Sequence, residues 1–253
     1  MKKMLFLFLS LLLFACVHNV TPTSFVYKEI KTDTFNLYSY QKILDTNEPI
    51  KIYIEGDGHA FNFHGQPTKD PTPKSSFLKN AAFSDSGENV VYLARPCQYI
   101  LDKNQICSKR HWTTARFAPE IIHSTANAIK QIAGNNEVIL IGFSGGAQVA
   151  GLVAVLHPDI KIKKLINIAP NLDHLAWTQY HQLPSLSESL NLADYKQLYN
   201  KIPQVHYIGG KDKNITPSLV KDFISNKSLI NVVDKASHNY GWDNIIPYIT
   251  KDN

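Results

Sequence analysis

Residues 137–151 read EVILIGFSGGAQVAG, in which one apolar run passes through glycines into a second apolar run. The four apolar residues 138–141 predict a buried strand, and residues 147–155 predict a helix. Ser144 lies between them in the pattern G-x-S-x-G, which in this context is typical of a nucleophilic serine on a sharp turn. The alternative is an ordinary serine at a helix N-cap, a position that serine favours. Because both the strand and the helix are present, we interpret Ser144 as a nucleophile.

Strands and helices alternate along the rest of the chain. Two strand-like runs, residues 24–32 and 35–44, predict an opening antiparallel hairpin. Strands followed by helices predict a mostly parallel sheet with helices on both faces, the α/β class. The other predicted strands lie within residues 50–58, 89–96, 162–170, 203–212 and 230–238, and the other predicted helices lie within residues 76–86, 115–133, 216–226 and 242–250.

The length of 253 residues is compatible with one large α/β domain. We place this domain at residues 25–253, since no internal repeat or low-complexity linker divides it. The stretch 171–201 is too long for a simple connection between two strands. It contains Trp177 and Tyr180, and we predict that it forms a small helical cap over the site.

His238 is the best candidate for the base that a serine nucleophile requires. It follows the last predicted strand in ASHNYGW, where small and polar neighbours suit an exposed loop. His157 precedes a proline at a helix end, and His206 lies inside a strand, so both are interpreted as structural. His238 is therefore predicted to activate Ser144.

Two aspartates are candidates for the acid that orients the histidine. Asp212 ends the strand before His238, in YIGGKDKNI, and its alternative role is that of a turn residue. Asp173, in APNLDH, follows the strand before that one. We favour Asp212, since the order Ser…Asp…His then follows consecutive strand ends.

The loop after the predicted strand IYI carries the sequence Gly-Asp-Gly. Backbone N–H groups at Asp57 and Gly58, together with that of Gly145, are predicted to form an oxyanion hole. A simple tight turn would also suit this sequence. His59 and His64 follow, but no further ligands have a recognisable metal-binding spacing, so no metal and no cofactor is predicted.

The N-terminus has the features of an export signal. Two lysines precede the almost wholly apolar residues 4–15, a run too short to span a bilayer. The run ends in LLFAC and resembles the lipobox of bacterial lipoproteins, in which the cysteine is lipidated. We predict a signal peptide at residues 1–15, lipidation of Cys16 and a tether at residues 16–24. The protein would then be exported and anchored in a membrane; a plain cleavable signal is the alternative.

Charge and cysteine content limit the remaining possibilities. Without residues 1–15 the chain has 24 basic residues, since Lys2 and Lys3 are removed from 26, against 21 acidic ones. This small excess and the absence of a basic aromatic cluster predict no nucleic-acid partner. After Cys16, only Cys97 and Cys107 remain. Export permits a disulfide between them, and two unpaired thiols are the alternative.

Together these residues resemble the α/β-hydrolase superfamily over about residues 25–250. Within this range IYIEGDGHAF, DPTP, YLARPCQY and NLDHLAW are similar to a group of bacterial exported hydrolases, some of them lipoproteins. The resemblance implies that Ser144 is the nucleophile, Asp212 the acid and His238 the base, with Asp57 and Gly145 as backbone donors. Glu55 is a departure, since a histidine is common at that position before the glycine.

The leading functional hypothesis is a lipid-anchored serine hydrolase that cleaves carboxylic esters or thioesters through an acyl-enzyme. Its partner would be a small-molecule or lipid ester. A peptidase or amidase would use the same residues and is the first alternative. A surface lipoprotein that only binds its partner is the second, and the complete Ser, Asp and His set argues against it.

Overall fold

The computed structural model describes residues 21–251, with residues 46 and 76 left out. Within this part of the chain, the apolar runs form eight strands of one sheet. The strands are β1 (Val26–Lys31), β2 (Asn36–Ile43), β3 (Ile50–Ile54), β4 (Asn89–Leu93), β5 (Val138–Phe143), β6 (Ile162–Ile168), β7 (Gln204–Gly209) and β8 (Ile230–Val233). The helices are α1 (Phe77–Phe83), α2 (Pro119–Ala133), α3 (Gly145–Leu156), α4 (His174–Tyr180), α5 (Lys196–Tyr199), α6 (Pro217–Phe223) and α7 (Ile246–Lys251).

The strand order of the sheet is β1-β2-β4-β3-β5-β6-β7-β8. Strand β2 pairs antiparallel with both β1 and β4, and the other neighbours pair in parallel. The predicted opening hairpin and the mostly parallel sheet are therefore confirmed. In such a sheet the loops that follow β3, β5, β6, β7 and β8 emerge at one edge, where ligands of open α/β sheets bind.

The central strands are covered on both faces. All five residues of β3 are buried, and successive side chains alternate between two apolar clusters, with Ile52 in one and Tyr53 in the other. Ile122 of α2 and the buried residues of α3 belong to the first cluster. Leu78 of α1 and Ile249 of α7 belong to the second. Helices on both faces explain why every residue of β3 is buried, including Lys51, whose Nζ lies 3.5 Å from the buried Asp85 carboxylate.

Several predicted helices have different ends in the structure, and two of them show why. The prediction at residues 115–133 is too long, because α2 begins at Pro119. Proline lacks a backbone N–H and has a fixed φ, which suits the first position of a helix, and Ala118 before it is extended. The helix predicted at residues 216–226 ends earlier, at Phe223, since Ile224 has an extended backbone.

The segment 171–201 contains α4, a short 3-10 helix at Leu192–Tyr195 and α5. Its buried side chains, among them Leu192 and Tyr199, pack in the same cluster as α3. The segment is thus helical and fixed to the domain, and its role as a cap stays a prediction.

Cys97 and Cys107 form a disulfide, as predicted. The bond closes a short loop just after β4, and loop-closure entropy assigns such a bond about 3 kcal/mol of stability. The predicted signal peptide and Cys16 lie outside the described residues. Within those residues, no helix has both the length and the apolar content needed to cross a bilayer.

His206 of β7 is fully buried in the apolar core beside Gln204. Its Nε2 lies 2.9 Å from Gln204 Oε1, while Nδ1 has no partner among the described residues. Burial lowers the pKa of His206 to about 4. The unfolded chain, with an ordinary pKa, therefore takes up a proton at higher pH than the folded chain does.

We expect the free energy of unfolding to decrease as the pH falls from about 6.5 towards 4. His206 should contribute about 3 kcal/mol of this decrease. Urea unfolding at pH 7 and pH 4 measures it, and His206→Gln should flatten the dependence, whereas the exposed-site control His64→Asn should leave it unchanged. An equal decrease in wild type and His206→Gln would contradict the assignment.

Candidate active site

Ser144 forms the turn between β5 and α3 with φ of 52° and ψ of −120°. Positive φ is unfavourable for a side-chain-bearing residue and persists only where the surroundings impose it. Here the Ser144 N–H donates to Ile168 O at 2.9 Å, and its carbonyl accepts from Ala147 N and Asn171 N, both at 3.1 Å. Within the part of the chain that the structure describes, its hydroxyl does not cap α3. Ser144 thus stands at the N-cap position of α3 without acting as a side-chain cap, and its role as nucleophile stays a prediction.

Glycines around Ser144 allow α3 to approach the sheet closely. A Cβ at Gly142 would lie 2.5 Å from the Cα of Ala147 in α3. A Cβ at Gly146 would collide with the carbonyl oxygen of Ile54 at the end of β3. Side chains at these two positions would push α3 away from the sheet, so the glycines are required by the close packing.

His238 connects Ser144 with Asp212. Its Nε2 lies 3.0 Å from Ser144 Oγ, and its Nδ1 lies 2.8 Å from Asp212 Oδ2. An ionised carboxylate can only accept, so Nδ1 carries the proton and the Nε2 lone pair accepts from the serine hydroxyl. The indole N–H of Trp242 donates to the His238 carbonyl at 3.0 Å and helps to fix this loop.

The Asp212 carboxylate is fixed in orientation by its own loop. Its side chain is fully buried just after β7. Oδ1 accepts from the backbone N–H groups of Asn214 at 2.8 Å and Ile215 at 2.9 Å, which leaves Oδ2 for His238. A carboxylate held in this way keeps the imidazole in one tautomer and one orientation.

Asp173 has a different role, as the N-cap of α4. Its Oδ1 accepts from Leu175 N at 3.0 Å and Ala176 N at 3.1 Å. The amide of Asn191 also donates to this oxygen at 2.7 Å. Of the two aspartates that the sequence left as candidates, the structure therefore places Asp212, and not Asp173, against His238.

The loop after β3 is supported by Glu55, which stands where the superfamily that the sequence resembles commonly has a histidine. Its buried carboxyl accepts from the Gly56 N–H at 2.9 Å and from the Tyr92 hydroxyl at 2.7 Å, and burial raises the pKa of Glu55. Gln98 Nε2 donates to Gly56 O at 3.0 Å. Glu55 thus takes part in bracing its own loop.

Asp57, the next polar residue of this loop, forms ion pairs with two arginines. Arg95 Nη1 lies 3.1 Å from its Oδ1, and Arg116 Nη1 lies 2.7 Å from its Oδ2. Burial alone would raise the pKa of the Asp57 carboxyl, but the charges of Arg116 and Arg95 outweigh burial and hold the pKa below its ordinary value. Asp57 Oδ1 also occupies the space that a Cβ at Gly145 would need.

A cavity of about 1000 Å³ opens onto these residues. Ser144, His238, Asp57 and Gly58 line it, so the predicted nucleophile, base and oxyanion loop share one space. Many of the other lining side chains are aromatic or apolar, namely Phe61, Phe77, Leu78, Phe143, Trp177, Tyr240, Trp242 and Ile246. Among the described residues, no group of three or more potential ligand side chains is arranged to bind a metal.

No protein-family model and no curated protein matches the sequence. Solved structures do match. An α/β serine hydrolase from Xanthomonas campestris shares 14% identity and a TM-score of 0.55, over 92% of this chain and 94% of that chain. An esterase from Pyrococcus furiosus shares 16% identity and a TM-score of 0.57, over 90% of this chain and 88% of that chain. An α/β fold family hydrolase from Bacillus anthracis shares 11% identity and a TM-score of 0.55, over 89% of this chain and 98% of that chain. This chain has the α/β-hydrolase fold.

Ser144 stands at a strand–turn–helix between β5 and α3, which is the context that the G-x-S-x-G motif requires. No sequence pattern singled out Arg95 and Arg116, which hold Asp57, or Tyr92, which contacts Glu55. One signal was available, because Arg95 follows a fully buried strand, where a charged side chain needs a partner.

Proposed function

We propose that this protein is a serine hydrolase that cleaves carboxylic esters or thioesters through an acyl-enzyme. The observation that carries the proposal is the continuous hydrogen-bonded chain from Ser144 through His238 to Asp212. It opens into a cavity lined by aromatic and apolar side chains together with polar ones, which suits a small-molecule or lipid ester. The fold is shared with an esterase and with α/β hydrolases, which supports the same reaction class.

In the first half of the reaction, Ser144 Oγ would attack the carbonyl carbon of the ester. His238 Nε2 takes the serine proton, and Asp212 stabilises the imidazolium that forms. The tetrahedral intermediate then collapses, and His238 gives the proton to the leaving alcohol or thiol. In the second half, water adds to the acyl-enzyme by the same route, which releases the acid and restores the Ser144 hydroxyl.

Negative charge on the carbonyl oxygen would be stabilised at the N-terminus of α3. Gly145 is the first residue of this helix, where a backbone N–H has no intrahelical acceptor. The positive end of the helix dipole adds to this effect. The second donor would be the backbone N–H of Asp57, whose loop packs against the serine turn: a Cβ at Gly56 would lie 3.4 Å from Ser144 Cβ.

We further propose that the enzyme is exported and anchored to a membrane by lipid on Cys16. The support is the two lysines, the short apolar run and the LFAC sequence before Val17. A short tether would then hold the site near a membrane surface. The Cys97–Cys107 disulfide agrees with an oxidising compartment.

Ser144→Ala should abolish labelling by a fluorophosphonate probe and reduce hydrolysis of p-nitrophenyl acetate by about 10⁶-fold. His238→Ala should cost nearly as much, because the groups act as a unit. Ser218→Ala, in the first turn of α6, is the matched control and should retain both activities. Wild-type turnover by Ser144→Ala and His238→Ala would refute the proposed function.

Asp212→Asn should reduce turnover by about 10⁴-fold, since an amide favours the wrong imidazole tautomer. Asp173→Asn changes a helix cap and its contact with Asn191, so it should leave turnover close to that of wild type while it slightly lowers the midpoint of urea unfolding. Steady-state kinetics of the two variants shows which aspartate orients His238. The opposite ranking of turnover would show that Asp212 does not orient the base.

Mass spectrometry of the membrane fraction should find a diacylated peptide that begins at Cys16, together with a Cys97–Cys107 cross-link. Cys16→Ser should move the protein out of the membrane fraction, because a thioether-linked lipid can no longer form. An unprocessed N-terminus at Met1 in a soluble fraction would contradict the anchoring proposal. It would leave the proposed chemistry intact.

A further inference from the structure

Asp57 is tied to two separate parts of the chain by buried arginines. The Arg95 and Arg116 side chains are each only 6% exposed. Arg116 Nε donates to Thr113 O at 2.9 Å, and the second guanidinium nitrogen of Arg95 donates to Arg116 O. The guanidinium groups are thus anchored at the end of β4 and before α2, and both point at the same carboxylate.

The same carboxylate touches the first residue of α3. A Cβ at Gly145 would overlap Asp57 Oδ1, so that oxygen lies directly against the Gly145 backbone. The arginines hold the Asp57 carboxylate on one side and Gly145 stops it on the other. The cluster therefore holds the Asp57 side chain against the first residue of α3, and the backbone N–H groups of these two residues are the proposed oxyanion donors.

The positive charges of the two arginines also affect the oxyanion directly. An unpaired carboxylate at this position would repel the oxyanion that forms nearby. Two guanidinium groups outweigh one carboxylate and make the whole cluster positive. A preorganised charge of this kind stabilises the transition state, in which the oxyanion has formed, more than the ground state.

Arg116 also links this cluster to the cavity wall. The centre of its guanidinium group lies 5.4 Å from the ring centroid of Phe61 and 5.9 Å from that of Trp177. Both rings line the cavity. A planar guanidinium can contact aromatic rings and bind a carboxylate at once, which a lysine ammonium cannot reproduce.

On this basis we propose that the Asp57–Arg95–Arg116 cluster positions the oxyanion hole and keeps it electropositive. Asp57 and Arg116 are then positioning residues, and they act through the backbone donors on the transition state. The inference rests on the proposed serine hydrolase function, because the cluster is proposed to support the oxyanion hole of that reaction.

The test compares Asp57→Asn, Arg116→Gln and Arg116→Lys with wild type. The matched control is Arg110→Gln, which removes a surface arginine that also pairs with two carboxylates, Glu120 and Glu188. Each variant is assayed for kcat and KM with p-nitrophenyl acetate. Each is also assayed for inhibition by an aryl trifluoromethyl ketone. When Ser144 Oγ adds to the carbonyl carbon of this ketone, the carbonyl oxygen becomes an oxyanion and the serine proton passes to His238. Thermal unfolding gives the folded fraction, and rates are expressed per folded molecule.

We expect Arg116→Gln, which removes one positive charge and one tie to Asp57, to lower kcat by about 10- to 100-fold with little change in KM, and to weaken ketone binding by a similar factor. Asp57→Asn leaves the cluster more positive but loosens its contacts with both arginines, so it should lower kcat by less, about 10-fold, through lost positioning alone. Arg116→Lys should recover only part of the loss, and Arg110→Gln should match wild type. A merely structural role would lower the melting temperature without changing kcat or ketone affinity per folded molecule. If Asp57→Asn is unfolded at the assay temperature, the two Arg116 variants decide the result.

Two outcomes separate the inference from the function on which it rests. Unchanged kcat and ketone affinity in the folded Asp57 and Arg116 variants, with Ser144→Ala inactive, would overturn the positioning role alone. Full activity of Ser144→Ala in the same assay would overturn the serine hydrolase function, and the positioning role with it.

Discussion

The close approach of α3 to the central sheet is the constraint on which the rest of the structure depends. It requires glycine at positions 142 and 146, and it forces Ser144 into a positive φ. Two backbone hydrogen bonds then hold the turn in place: the Ser144 N–H donates to Ile168 O, and the Asn171 N–H donates to Ser144 O. Strain of this kind is stable only because the surrounding core is buried on both faces of the sheet.

Once this turn is fixed, the parallel strands bring the other groups to it. The loops after β3, β7 and β8 carry Asp57, Asp212 and His238, and all of them emerge at the edge where Ser144 lies. Each is then fixed by contacts within its own loop, such as the two backbone N–H groups on Asp212 Oδ1. The sheet gives the groups a common location, and the loops give them their orientation.

The sequence was sufficient to predict what depends on local pattern and chain order. Strand–helix alternation predicted the sheet, and the G-x-S-x-G context together with strand-end positions brought Ser144, Asp212 and His238 into one hypothesis. It could not place Asp57 against Arg95 and Arg116, since these residues come from three separate segments and meet only in the folded chain. It could not separate Asp173 from Asp212 by pattern alone, because an aspartate that caps a helix and an aspartate that orients a histidine can both follow a strand.

The contact between Asp57 and Gly145 also constrains how this sequence can change during evolution. A methyl group at position 145 would displace the carboxylate, and displacing the carboxylate would leave two buried guanidinium groups without their counter-charge. Residues in contact in this way have non-additive substitution energies. Positions 57 and 145, far apart in the chain, therefore form an epistatic pair, in which a larger residue at 145 fits only beside a smaller side chain at 57.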